Sequence, residues 1–97
     1  MNQLMDITLD NVICQVEGNI VSDMNGEKVM FSVKKGKYYN LGTTGGEIWD
    51  YTKEEISIQE LVHKLVELYE VGQQECEEQT ISFIQHLVKE GLLQVKK

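Results

Sequence analysis

Ninety-seven residues are enough for one domain with one core, and a chain this short has little room for a large enclosed active site. Nine lysines, no arginine and sixteen acidic residues give a formal charge of -7, which repels phosphate backbones and leaves no guanidinium fork to read guanine or clamp phosphate. Nucleic acid is therefore a poor partner, and the acidity fits a basic or neutral partner or solubility alone.

From the N-terminus, Met1 to Asp10 contains acidic residues and no basic stretch followed by an apolar run. No eighteen apolar residues occur together anywhere, so the expectation is a cytoplasmic protein without a membrane span. Up to Leu41 the apolar pattern has a period of two. Val12 to Glu17, with Val12, Cys14 and Val16 alternating, reads as a first strand. Asn25-Gly26 tolerates the positive φ of a type I′ turn and should join Asn19 to Met24 with Glu27 to Lys34. Lys35-Gly36 turns the chain again into Lys37 to Leu41, completing a three-stranded antiparallel meander. In this reading Val29, Phe31 and Val33 share the core face, while Lys28, Ser32 and Lys34 point mostly outward.

After Thr44 the period becomes helical. Thr44-Gly45-Gly46-Glu47 fits a capping box opening a short helix through Ile48, Trp49 and Tyr51. Ser57-Ile58-Gln59-Glu60 repeats the signal, with Ile56 and Leu61 placed as a hydrophobic staple. The helix it opens should bury Leu61, Leu65, Leu68 and Tyr69 and end near Gly72. A third helix from Gln73 carries Cys76, Thr80, Phe83, Ile84 and Leu87 on one face and stops at Gly91. Leu92 to Val95 then returns as a short extended segment. The expected architecture is a single α+β domain over residues 1–97, winged-helix-like, with a three-stranded antiparallel sheet (about 12–41) followed by three helices (about 44–91).

Catalytic chemistry finds little support. His63 and His86 both fall on predicted helices, and Glu60 and Glu67 beside His63 read as a solvated helix face rather than a dyad. Gly42-Thr43-Thr44-Gly45-Gly46 lacks the lysine and spacing of a phosphate loop. Glu75, Glu77 and Glu78 complement a helix dipole more simply than they collect a cation. Cys14 and Cys76 lie far apart with no metal-ligand spacing, and read as two free, mostly buried thiols. No cofactor, no metal and no enzyme activity are expected.

A geometric feature remains. The last strand of the meander has no comparable strand after it, and Lys35 and Lys37 guard only its entry, leaving Tyr38, Tyr39, Asn40 and Leu41 able to pair. Either water or the N-terminal segment covers this edge, or it accepts an added peptide strand.

Lys37-Tyr38-Tyr39-Asn40-Leu41, then Thr44-Gly45-Gly46-Glu47-Ile48-Trp49, resembles the PqqD-like family, also called RiPP precursor recognition elements. Val62 to Tyr69, Glu75 to Glu78 and Leu87-Val88-Lys89-Glu90-Gly91-Leu92-Leu93 continue the resemblance over about six-tenths of the chain. Two positions depart from the pattern, Gly42 where asparagine is frequent and Gly72 where an acidic cap is common. The sheet and the stand-alone length are most similar to the version found in lasso-peptide biosynthesis.

The resemblance implies a winged-helix-like fold and non-catalytic binding of a precursor's leader segment, without a cofactor. It further implies delivery to a cysteine leader peptidase and an ATP-dependent lasso cyclase. The leader would pair with the backbone of Tyr38, Tyr39, Asn40 and Leu41. On the third helix a flank of Glu77, Ile81, Ile84 and Val88, bordered by Glu78 and Gln85, would form the opposite wall; ordinary burial against another helix is the competing account of Ile81 and Val88. Two other functions stay open, a peptide chaperone for a radical-SAM maturase and a winged-helix transcriptional regulator. The second is disfavoured by a helix that opens Glu75-Cys76-Glu77-Glu78 without arginine.

Overall fold

The computed structural model describes residues 7–96. Nine elements follow one another: β1 (Val12–Gln15), β2 (Asn19–Met24), β3 (Glu27–Ser32), β4 (Lys37–Leu41), α1 (Gly42–Tyr51), β5 (Ile56–Ser57), α2 (Ile58–Tyr69), α3 (Gln73–Lys89) and β6 (Leu93–Lys96). The class is α+β, but with two three-stranded antiparallel sheets rather than one. The expected meander is the sheet β2-β3-β4, and β1 stands apart from it, between β5 and β6 in the other sheet.

The hairpin forms as its turn chemistry requires. Asn25 at φ 58 and Gly26 at φ 84 both occupy the left-handed region, which matches the twist of the flanking strands. Register then runs from Met24 opposite Glu27 to Asn19 opposite Ser32. The expected face of β3 is reversed. Met30 and Ser32 are buried, at 0% and 3% exposure, while Val29 and Phe31 are half-buried and Val33 lies in the turn, 58% exposed. Apolar residues occupy both faces of this strand, so alternation marks its period without saying which side meets the helices.

The helices also differ from expectation at their ends. Helix α1 starts at Gly42, two residues before Thr44, and its entry is closed by Asn40, whose Oδ1 accepts the Gly42 N–H at 2.9 Å. The expected cap of α2 is present, with Ser57 Oγ accepting the Glu60 N–H at 3.1 Å. Its buried stripe is Ile58, Leu61, Val62 and Leu65, whereas Leu68 and Tyr69 in its last turn are exposed; α2 ends at Tyr69, and Glu70 closes it in the left-handed conformation at φ 54. Helix α3 buries Cys76, Thr80, Ile84 and Leu87 as its period implies, while Phe83, expected on the same face, is half-buried.

The core runs between the two sheets and the helices. Ile13, Met30, Ile58, Leu61, Val62 and Ile84 are fully covered. The small sheet is tied to α1 by Gln15, whose Nε2 donates to the Trp49 carbonyl at 2.7 Å; the buried Thr52 hydroxyl at the helix end donates to the same oxygen at 2.6 Å. Truncating Leu61 to alanine at the centre of this packing should cost about 2–5 kcal/mol, read as a lower urea midpoint with an unchanged slope.

A second tie joins the meander to the end of α3. The Tyr39 hydroxyl donates to Glu90 Oε1 at 2.8 Å, and Lys35 and Lys37 approach the same oxygen at 3.7 and 3.8 Å. The Tyr39 hydrogen bond, helped by the two lysines, holds the Glu90 carboxyl below its ordinary range, and the same bond raises the Tyr39 phenol. The Glu90 contribution to stability is present above the ordinary carboxylate range and lost as pH falls through the lowered value. The Tyr39 contribution is present below the ordinary phenol range and lost as pH rises through the raised value. Glu90→Gln should therefore flatten both limbs of a plot of urea midpoint against pH, leaving the plateau between them less changed in shape.

Candidate functional site

The outer edge of β4 is where backbone groups stand unpaired. Its inner edge pairs with β3, Phe31 opposite Tyr38 and Val29 opposite Asn40, and among the described residues no strand pairs with the other edge. Alternate residues of β4 turn their N–H and C=O groups to that side. Side chains alternate in the other direction: Tyr39 and Leu41 point toward the helices, while Tyr38 and Asn40 point to the outer face. Leu41 is 8% exposed and Tyr38 75%.

Across from this edge stands α3. Helix α3 packs on α2 and β6, and its connection with β4 is made by side chains, Tyr39 to Glu90 at one end and Leu41 beside Phe83 at the other. Phe83 sits tightly over α1, so that a Cβ placed on Gly45 would come within 2.9 Å of its ring. Glycine at this position is what lets α1 and α3 close on each other. Between them lies a groove of about 490 Å³ that takes in Leu41, Thr44, Ile48, Leu65, Cys76 and Phe83. A shallower depression shares Gln79 and Phe83 with it and continues over Ser82 and His86. The groove is mostly apolar with an acidic side chain, Glu75, at its margin.

The sequence-predicted residues divide here. Tyr38, Tyr39, Asn40 and Leu41 do form one continuous edge. The predicted wall of α3 does not face it. Successive helical residues are about 100° apart, so Ile81 lies about 160° around the helix from Phe83, and Val88 the same from Glu90. Glu90 bonds Tyr39, and Phe83 lines the same groove as Leu41, so the flank turned toward β4 is that of Gln79, Phe83, His86 and Glu90. Ile81 and Val88 are half-buried against the core, Ile84 is fully buried and Glu77 accepts a hydrogen bond from Gln73 within its own helix at 2.9 Å. Glu78 and Gln85 are exposed, with Glu78 also bordering the shallow depression. The sequence leaves the choice of flank open for a simple reason. A buried stripe has two flanks, and a helical wheel cannot say on which of them a distant strand lies.

No other arrangement with chemical potential emerges among the described residues. His63 is a solvated partner of Glu67, 3.6 Å away with both side chains largely exposed. Cys14 and Cys76 are free, and no group of three histidine, cysteine or carboxylate side chains is placed to hold a metal ion. Among the described residues no helix is long and apolar enough to cross a membrane.

Comparison with known proteins agrees with this fold. No curated protein matches the chain in sequence. A solved structure, TbiB1 in complex with the TbiA(beta) leader peptide, shares the fold with a TM-score of 0.76 at 22% identity, over 84% of this chain and 94% of that one. The model of the family described as coenzyme PQQ synthesis protein D (PqqD) matches residues 27–93, which include β3, β4, all three helices and the groove between them. The chain belongs to the PqqD family.

Proposed function

We propose that this chain is a non-catalytic leader-recognition module of the cytoplasm. The leader segment of a ribosomally synthesised precursor pairs along Tyr38 to Leu41, and the chain hands it to a cysteine leader peptidase and an ATP-dependent cyclase in lasso-peptide biosynthesis. The observation that carries the reading is the unpaired β4 edge, whose last residue, Leu41, opens onto an apolar groove walled on one side by Gln79 and Phe83 of α3. Membership of the PqqD family and the fold shared with a leader-bound TbiB1 support it.

Energetics assign unequal shares to the two walls. About four ladder hydrogen bonds at roughly 0.5–1.5 kcal/mol each scarcely exceed the roughly 2–5 kcal/mol that ordering a disordered leader costs. Useful affinity needs two or three buried apolar side chains of the leader at roughly 1.5–3 kcal/mol each. The groove past Leu41 and Phe83 is where such side chains find cover, so the strand edge sets direction and register while the groove supplies affinity and selectivity.

Two measurements test this. Against a fluorescein-labelled leader of the precursor encoded beside its gene, Phe83→Ser should weaken binding about tenfold or more in fluorescence polarisation, with its helical circular dichroism retained. Ile81→Ser should change affinity far less, and the opposite ranking would return the wall to the Ile81–Val88 flank. If Glu75 and Glu78 steer a basic leader toward the groove, its association rate should fall as salt is raised, with a smaller fall in Glu75→Gln/Glu78→Gln.

A further inference from the structure

Gly45 stands where the end of β4 and the middle of α3 both approach α1. A Cβ placed on it would come 2.9 and 3.2 Å from Cζ and Cε1 of Phe83 and 3.3 Å from Cβ of Leu41, and all three residues line the groove. The backbone does not demand glycine here. Gly45 is a buried residue of α1 without the left-handed conformation that Gly42 takes at φ 72, and inside a helix alanine is ordinarily the better residue. Gly46, the next residue, answers to a different neighbour. A Cβ on it would collide with Cγ of Lys28 on β3, and it does not line the groove. The two glycines therefore serve separate packings: Gly46 seats α1 on the sheet, and Gly45 gives the end of the Phe83 ring a place against the bare helix backbone.

We propose that Gly45 is a positioning residue that sets, through Phe83, the size of the leader side chain the groove accepts. The inference rests on the leader-binding reading. With its ring end in the space a Cβ would fill, Phe83 leaves a groove of about 490 Å³, room for a bulky apolar side chain. Phe83 also borders the shallow depression over Ser82 and His86. A methyl group at position 45 drives the ring end off α1, and the spaces open to it are the groove and that depression. In the groove the ring takes the place of the bound side chain; over the depression it uncovers one wall of it. Either movement removes the preference for a bulky side chain, and one methyl group's worth of fit in an apolar pocket changes affinity by about tenfold or more.

The test uses the fluorescein-labelled leader of the precursor encoded beside its gene, and a set of leaders in which each apolar residue in turn is alanine. The replacement that most weakens binding to the parent chain marks the anchor. Gly45→Ala should keep its helical circular dichroism and bind the unaltered leader about tenfold more weakly, while the loss on changing the anchor to alanine shrinks from about tenfold or more to about twofold. Phe83→Leu lacks the Cζ and Cε1 atoms that meet position 45, so Gly45→Ala/Phe83→Leu should regain the dependence on the anchor. Phe83→Leu alone adds no atom to the fold, and it should lose less affinity than the parent chain when the anchor is enlarged to tryptophan; this arm decides the matter if Gly45→Ala does not fold. Parent-like binding by Gly45→Ala, an equal loss for every leader, or an anchor dependence that Phe83→Leu does not restore makes Gly45 a packing residue only, overturning the proposal while the leader reading stands. A parent chain that does not bind the leader overturns both.

Discussion

The separation of β4 from α3 is the constraint on which the other features depend. Had α3 packed directly on the last strand, its edge would be covered; had α3 been free to swing, the groove would have no fixed width. Instead side chains link the strand and the helix. Tyr39 reaches Glu90 at one end, and Leu41 with Phe83 closes onto Gly45 at the other. The first contact is charge-assisted and directional, the second close-packed and apolar. Their different chemistry means that neither salt nor a single core mutation loosens both together.

Much of this was legible in the sequence because it is encoded locally. Asn25-Gly26 permits the positive φ of the hairpin, Ser57 and Glu60 mark the start of α2, and the spacing of Cys76, Thr80, Ile84 and Leu87 gives the buried face of α3. The small sheet was hidden for the opposite reason. Strand β5 has two residues, and β1 pairs with Ser57 and Lys96, more than forty and eighty positions away. Such pairings leave no trace in a local period. The orientation of β3 was hidden by its own composition, since Val29 and Phe31 look as core-like as Met30.

The candidate site shows the same division. Residues 38–41 were recognisable as an edge because being last in a meander is a matter of chain order. The helix flank was not, since choosing between Phe83 and Ile81 requires knowing where β4 ends up. A clue was present in composition: Tyr39, Lys35 and Lys37 form a donor cluster that needs an acceptor, and Glu90 closes the helix on the Phe83 side. Matching a polar cluster to a distant carboxylate would have pointed to the flank of α3 that meets β4 without coordinates.

An exposed sheet edge and an apolar groove on one small molecule would ordinarily invite aggregation. The surroundings oppose it. Lys34, Lys35 and Lys37 lie where the edge begins, and the net charge of -7 makes copies of the chain repel each other at a distance. Both devices act over a long range and against identical copies, while leaving the apolar surfaces chemically untouched. A peptide or protein of different charge does not meet that barrier. The acidity that argues against nucleic acid thus has a second consequence: it keeps the open edge of β4 from pairing with that of another copy.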